Sequence, residues 1–387
     1  MSDKDVNKND SNVKTEAYKE FKRAMSALNK KMTKNAGDEI AIAPLGEMDT
    51  VAVETISTGS VVLDNLAGGG FPVGRVVEIF GPESSGKTSI ALNAIADVQR
   101  KGGNALFIDA EQALDPNYAS VLGVDIDKLG LTQLIIAEQV MYTIQEMIKT
   151  GTVDLIVVDS VASLVPQAEY DEPEKVTMAL LARILSKHLR IIAKLANDHR
   201  CTVILLNQIR DKVGVMFGNP EDTPGGRALK FFASQRIRVS RVGQFKEGSE
   251  ILGTEVQFRI VKNKIAPPFQ SGKTILTFAK GINRPAEIIE IGGNIGAIEI
   301  EGRTQFLKVD DPSKYEDKYE IVDGKVKLGT SKKACIEALE ENEDLFNEAA
   351  HRVEEIMKIR REGGEIMDPH AEDIINEEDA EADVFSV

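Results

Sequence analysis

The sequence predicts an α/β protein. A core with a mostly parallel central sheet is preceded by an N-terminal helix–strand arm and followed by a small α+β C-terminal domain. Three observations predict this. Short, continuous apolar runs such as Leu155-Ile-Val-Val158 and Val203-Ile-Leu-Leu206 suit strands buried on both faces of a parallel sheet. Helical periodicities fall between those runs. One strand passes into a helix through the glycine-bearing turn Gly81–Thr88.

Taken in order, residues 1–13 are polar and expected to be disordered. Ala17, Phe21, Met25, Leu28 and Met32 then recur at helical spacing and predict a helix over 15–33. One helix of that length needs a surface to pack on, either its own core or a neighbouring subunit. Glu39–Pro44 reads as a short strand. Strands are expected at Arg75–Phe80, Ala105–Asp109, Asp154–Asp159, Thr202–Asn207, Gln235–Arg241, Glu255–Val261 and Thr274–Phe278. Helices are expected at Thr88–Arg100, Ala137–Lys149 and Met178–Asn197. The later strands follow one another with few helices, which predicts an antiparallel extension at one sheet edge. Asp171–Thr177 and Asp211–Gly226 fit neither pattern. The second carries Gly214, Gly218, Pro220, Pro224, Gly225 and Gly226, and a structureless stretch of that length is usually functional or disordered.

Beyond Gly281 the character changes. Residues 283–330 read as short strands and turns, and Ser331–Lys358 as a helix with Leu345, Ala349, Val353 and Met357 in one stripe. The expected divisions are an arm over 1–48, a core over 49–282, a small domain over 283–360 and an acidic tail over 361–387.

Composition narrows the classes. Of 387 residues, 42% are hydrophobic and 28% charged, which excludes fibrous and wholly disordered chains. No apolar run approaches the roughly 18 residues of a membrane span. The first 40 residues hold no apolar leader segment. The expectation is a cytoplasmic protein with no membrane partner. Cys201 and Cys335 are too few for a disulfide framework or a zinc site and read as reduced thiols. The net charge is −15, which taken globally disfavours nucleic acid. The charge is segregated, however. Gly363–Val387 holds nine acids and no Lys or Arg, and without it the charge is −6. Lys14–Lys34 holds seven bases against Glu16 and Glu20. A local basic surface is therefore compatible with the acidic total.

The motif that carries chemistry is Gly81-Pro-Glu-Ser-Ser-Gly-Lys-Thr88, a strand–G-x-x-x-x-G-K-[ST]–helix arrangement. Backbone N–H groups curl around phosphates there, and the helix N-terminus adds its dipole. Gly81, Pro82, Glu83, Ser84, Ser85, Gly86, Lys87, Thr88 and Ser89 are the candidate cradle. Lys87 would reach the β/γ-phosphates, and the Thr88 hydroxyl would bind Mg²⁺. Asp159, ending an apolar strand, is the natural second partner of that metal, acting through water. Glu111 lies just past the strand Ala105–Asp109 and is either a general base or a surface acid. Gln208 follows a strand and leads into the glycine-bearing loop, where it could sense a γ-phosphate. Arg210, Lys212, Met216, Phe217, Arg227 and Lys230 put bases among apolar residues. That pattern suits single-stranded nucleic acid, a lid or a subunit contact alike. Lys262 and Lys264 follow a strand and would share a side if it continued, and a solvated edge is the plain alternative. Tyr118 reads as packing or as a base-stacking platform. The four histidines show no metal-ligand spacing.

Together these segments carry a resemblance. Val53–Ser60, Gly81–Thr88, Phe107–Pro116, Val157–Ser160, Leu206–Arg210, Val213–Pro220, Gly225–Lys230 and Val261–Ala266 resemble the bacterial RecA recombinases over roughly residues 40–280. The resemblance implies a RecA-type P-loop core that binds ATP and Mg²⁺. It implies that Glu111 is the catalytic base, that Asp159 is the acidic metal partner, and that Asp115 and Tyr118 contact adenine. It implies that Gln208 couples the γ-phosphate to a DNA-binding loop, Asp211–Gly226, which with its flanks includes Arg210, Lys212, Gly225, Gly226 and Arg227. Met178 and Arg183 would flank a first DNA loop. Lys262 and Lys264 would reach the ATP of an adjacent protomer. Phe21 and Met25 in the arm, with Phe217 and Lys230, would form the subunit interface. The first loop, Glu169–Met178, departs from the family pattern: it is acidic and lacks glycine. The implied function is a DNA-dependent ATPase that forms a helical filament on single-stranded DNA and promotes pairing and strand exchange with double-stranded DNA. Co-protease action on a repressor would accompany it. A ring-forming P-loop motor and an ATP-gated DNA-binding regulator without strand exchange are the alternatives.

Overall fold

The computed structural model describes residues 17–31, 42, 53–174, 179–211, 221–247 and 249–362. The chain divides into two units, Met1–Val53 and Glu54–Val387. In the first, helix α1 spans residues 17–31, close to the span its apolar stripe predicts. Phe21 is exposed on it and Met25 buried. Asn29 brackets the backbone of Ile42, accepting from its N–H at 2.8 Å and donating to its carbonyl at 3.0 Å. The rest of the expected strand Glu39–Pro44 lies outside the described residues. So do Met178, Lys212 and Phe217, and residues 363–387.

The second unit opens with β1 (Thr55–Ile56), α2 (Val61–Ala67) and β2 (Phe71–Pro72). Strand β3 (Val76–Gly81) leads through the glycine turn into α3 (Lys87–Arg100). Then come β4 (Ala105–Asp109), α4 (Pro116–Val121), β5 (Gly130–Thr132), α5 (Ala137–Lys149), β6 (Leu155–Asp159), α6 (Gln167–Asp171) and α7 (Leu180–Asp198). Strand β7 (Thr202–Gln208) is followed by the two-residue pair β8 (Arg210–Asp211) and β9 (Glu221–Asp222), then α8 (Gly226–Phe232). The long hairpin β10 (Gln235–Glu247) and β11 (Glu250–Asn263) precedes β12 (Ser271–Thr277) and β13 (Gly281–Ile282).

Among the described residues, the central sheet has nine strands in the order β13-β12-β11-β10-β3-β7-β6-β4-β5. From β10 to β5 every pairing is parallel, and from β10 to β13 every pairing is antiparallel. The expected antiparallel extension is therefore present. Successive strand residues feed opposite faces, as a period of two requires. Val77, Ile79, Phe107, Val157 and Ile204 enter one core with α2 and α3. Val76, Ile108, Ile156, Val158 and Leu205 enter the other with α5, α7 and α8. Burial on both faces is why these strands read as unbroken apolar runs.

The C-terminal region differs from expectation in two places. Residues 283–330 do not begin with strands but with α9 (Arg284–Ile295), capped by Asn283. Gly292 and Gly293 weaken its helical signal, yet the space is needed: a Cβ on Gly292 would lie 2.8 Å from Ile298 Cδ1. Strands β14 (Ile298–Glu301), β15 (Thr304–Lys308), β16 (Ile321–Val322) and β17 (Lys325–Gly329) then form a four-stranded sheet in the order β14-β15-β17-β16. The helix expected over Ser331–Lys358 is two, α10 (Lys332–Glu340) and α11 (Glu343–Glu362). Asn342 breaks it by accepting from the Leu345 N–H at 3.1 Å, the bond of an N-cap. No helix among the described residues is long and apolar enough to cross a membrane. Cys201 and Cys335 are buried and free, and burial pushes their thiols up to about 12 and about 11.

Helix α9 is latched to the core by a buried carboxyl. Glu287 accepts from Ser60 Oγ at 2.6 Å, Thr274 Oγ1 at 2.5 Å and the Val61 N–H at 2.8 Å. Burial dominates these bonds and pushes Glu287 up to about 7 from 4.5. The folded state therefore holds this proton more tightly than the unfolded chain does. The resulting stabilisation is complete below about pH 4.5 and is lost as the pH rises through about 7. The shift corresponds to a contribution on the order of 3 kcal/mol. Glu287→Gln keeps the neutral form at every pH. In denaturant unfolding, its stability relative to the parent is expected to rise between pH 5 and 8. A pH-independent difference would mean that the carboxyl does not titrate in this range.

Candidate active site

The C-terminal ends of β3, β7, β6 and β4 converge on one edge of the sheet, where open α/β sheets bind ligands. Register sets Gly81 beside Gln208 and Asp109 beside Asp159. Gly81 must be glycine, since a Cβ would sit 2.0 Å from the Val239 carbonyl oxygen. Gly86 closes the turn at φ 96° and starts α3. Pro82, Glu83 and Ser84 are exposed along the rim, while Ser85 and Ser89 are buried. Ser85 Oγ is buried with no hydrogen-bond partner.

The Lys87 ammonium is buried and donates to the carbonyls of Gly81 at 3.1 Å and Pro82 at 2.7 Å. Burial pulls its pKa down, and the carboxylates of Asp159, Glu111 and Glu83 oppose that pull. Thr88 Oγ1 donates to Asp159 Oδ2 at 2.6 Å. Burial raises Asp159 to about 6, with the Thr88 bond acting against it and Glu111 adding to it. An anion and a cation would relieve this arrangement, the first at Lys87 and the unpaired Ser85 hydroxyl, the second at Thr88 and Asp159. The residues therefore fit a metal–polyphosphate. Among the described residues no group of three or more His, Cys, Asp or Glu could cage a metal alone.

Glu111 stands on a turn that Asp109 folds, accepting from the Ala113 and Leu114 N–H groups at 3.1 Å each. The Glu111 N–H donates to the Asp159 carbonyl at 3.1 Å and stitches that turn to β6. Its Oε1 accepts from Ser160 Oγ at 2.5 Å and Gln208 Nε2 at 2.9 Å. Asp115 caps α4 by accepting from Asn117 N–H at 2.8 Å. The Tyr118 hydroxyl meets Ser89 Oγ at 2.7 Å, so that adenine candidate borders the cradle.

The DNA candidates among the described residues spread along the same edge. Arg183 is exposed in the first turn of α7, and Arg227 is exposed in α8. Gly225 and Gly226 carry positive φ at the start of α8. Arg210 opens β8, just beyond the end of β7 at Gln208.

Lys262 and Lys264 are placed elsewhere. β11 runs antiparallel to β10, so its C-terminal end lies at the opposite sheet edge from the cradle. Lys262 faces Arg236, which faces Glu78, three residues before Gly81. That is about 10 Å along the strand at roughly 3.3 Å per residue. The condition under which the lysines would share a side is not met, because β11 ends at Asn263, between them. Lys262 Nζ donates to the carbonyls of Lys230 at 2.8 Å and Phe231 at 2.9 Å, ending α8, while Lys264 is exposed. Burial, then the charges of Lys264 and Arg236, lower Lys262 to about 8. Phe231, beside it, is 71% exposed.

Sequence reasoning missed Ser160, Asn207, Glu78, Arg236 and Phe231. Glu78 had a signal: it is a charge inside the apolar strand Val76-Val-Glu-Ile-Phe80. Ser160 had none beyond following Asp159.

A model of the RecA N-terminal domain matches residues 19–283. Protein RecA of Staphylococcus carnosus is 43% identical over 353 residues, covering 85% of this chain and 99% of that protein. Protein RecA of Mesomycoplasma hyopneumoniae strain J is 45% identical over 340 residues, covering 87% and 95%. A crystal structure of the RadB recombinase aligns with a TM-score of 0.46 at 23% identity, covering 59% of this chain and 98% of that one. With a family model matched over more than half its length and relatives this similar over most of it, the chain belongs to the RecA family.

Proposed function

We propose that ATP and Mg²⁺ occupy the Gly81–Ser89 cradle and that Glu111 drives hydrolysis in a filament assembled on single-stranded DNA. The protein is a DNA-dependent ATPase of the P-loop recombinase kind, acting in DNA recombination and repair. The observation that carries the finer reading is the convergence of Lys87, the Thr88–Asp159 pair and the Glu111–Gln208 pair at one sheet edge.

Lys87 neutralises phosphate charge from a buried position, where an ammonium acts strongly. Thr88 and Asp159 hold the metal, which supplies further neutralisation of the phosphate oxygens when bound. Ser160 and Gln208 both bind Oε1 of Glu111, leaving Oε2 to take a proton from the attacking water. Gln208 ends β7, and the loop that bears the DNA candidates Arg210 and Lys212 follows it. A shift of Gln208 toward a phosphate therefore pulls on that loop. Lys262 and Lys264 are too far along the strand to serve their own cradle, which supports action on the neighbour's nucleotide. Exposed Phe231 beside Lys262, with Lys230 and Phe217, belongs to that subunit interface, and Phe21 and Met25 are assigned to the arm's own contact with a neighbouring subunit.

The same reading assigns double-stranded DNA as the exchange partner, Met178 and Arg183 to DNA contact, and residues 283–360 to a small C-terminal domain. Cytoplasmic placement and co-protease action on a repressor rest on family membership. The test is ATPase activity with and without single-stranded DNA, with negative-stain images of the same samples. Stimulation of at least about tenfold and helical filaments are expected. Equal rates and closed rings would overturn the reading in favour of a motor.

A further inference from the structure

On the sheet face that α7 and α8 cover, three polar side chains sit where apolar ones would pack. Glu78 in β3 is fully buried, and Arg236 at the start of β10 is 9% exposed. Arg236 Nε lies 2.5 Å from Glu78 Oε2, and its guanidinium carbon is 4.7 Å from the centre of the Phe80 ring. Asn207, fully buried at the end of β7, donates to Glu78 Oε1 at 3.0 Å and to the Pro224 carbonyl at 2.9 Å. Its side-chain carbonyl accepts from the Gln208 N–H at 3.1 Å. A buried ion pair is often no more stabilising than well-packed apolar residues, so stability alone does not account for one in the middle of an apolar strand.

The path continues at both ends, through a side-chain bond at one and strand pairing at the other. Gln208 reaches Glu111 through its side chain. Arg236 pairs across the strands with Lys262. The register shifts there: Arg236 faces Lys262 but Ile237 faces Ile260, so Val261 is the extra residue of a bulge. Bulges re-aim side chains, and this one turns Lys262 onto the face of Arg236 and α8. Helix α8 is thereby held at both ends. Asn207 holds the Pro224 carbonyl just before it, and Lys262 holds the Lys230 and Phe231 carbonyls at its close.

We propose that Glu78, Arg236 and Asn207 form a positioning unit that couples the nucleotide site of one protomer to the lysine pair it presents to the next. The inference rests on the reading that Lys262 and Lys264 act across the subunit boundary. Glu78 joins Arg236 to Asn207, Asn207 joins Glu78 to Gln208, and strand pairing sets Arg236 beside Lys262, so displacement at Gln208 is transmitted to Arg236 and Lys262. Hydrolysis within a filament is then cooperative in ATP.

The test uses the full chain on single-stranded DNA. The paired variant Glu78→Gln with Arg236→Gln removes both charges together. Nucleotide affinity without DNA, read with a fluorescent ATP analogue, is expected to stay within about threefold of the parent. The DNA-stimulated kcat is expected to fall about tenfold, and the Hill coefficient for ATP from above 1 to about 1. A purely structural role would lower the melting temperature without this split. Asn207→Ser, which creates no buried charge, is read the same way if the paired variant does not fold. A parent Hill coefficient of 1, or a folded variant with the parent's coefficient and kcat, overturns the proposal. Equimolar mixing of Lys262→Ala/Lys264→Ala with Glu111→Gln separates the two failures. No recovery of activity sinks the cross-subunit reading and the proposal with it. Recovery alongside an unchanged Hill coefficient sinks the proposal alone.

Discussion

Replacing Glu111 by Gln is expected to lower DNA-stimulated ATP hydrolysis by about 10²–10⁴-fold, the range of one general base. The amide keeps the size of the side chain and its acceptor oxygen, so Ser160 and Gln208 retain a partner. What it loses is the ability to take a proton. Nucleotide binding should therefore stay near the parent value, because Lys87, Thr88 and Asp159 are untouched. Filaments should form and persist, since their turnover depends on hydrolysis. The measurement is single-turnover hydrolysis on single-stranded DNA beside a nucleotide titration. A variant that hydrolyses at the parent rate removes Glu111 from the chemistry. A variant that fails to bind nucleotide makes it a structural part of the cradle.

Replacing Lys262 and Lys264 together by Ala should produce a loss about as large as that from a missing arginine finger, roughly 10³–10⁵-fold in kcat. The defect should be complementable, unlike that of a residue acting in its own site. The double variant keeps an intact Glu111, and a Glu111→Gln protomer keeps both lysines. At equal mixing in a head-to-tail filament, about a quarter of the interfaces pair an intact base with intact lysines. Activity should recover to about that fraction. The geometry behind this is the direction of β11, which places Lys262 level with Glu78 and away from Gly81. Absence of recovery would mean that the lysines support their own protomer. Lys262→Ala alone also frees the last carbonyls of α8, so some loss of thermal stability is expected from it.

Much of this site could be read before the fold. Gly81–Thr88, Asp159 and Glu111 each occupy a strand end or the turn after it. A strand end can be found from an apolar run, and the geometry of a phosphate-binding turn is local. The same holds for the parallel core and its antiparallel edge, because burial on both faces leaves an unbroken apolar run. Helix α9 was illegible, since its paired glycines answer to Ile298 and Ile300 rather than to helix propensity. The break between α10 and α11 turned on one side-chain bond of Asn342.

The phosphate-binding turn, the strand-end acids Asp159 and Glu111 and the family can be read from the order of residues alone, because each depends on groups close together along the chain or at recognisable strand ends. Which way Lys262 faces, and that Glu78, Arg236, Asn207 and Gln208 join into one path, is settled only in the assembled sheet. Those contacts depend on strand register. A bulge at Val261 shifts the pairing by one residue and re-aims a side chain, while the local sequence stays the same. Register is set by the packing of the whole sheet, and no segment of the chain carries it alone.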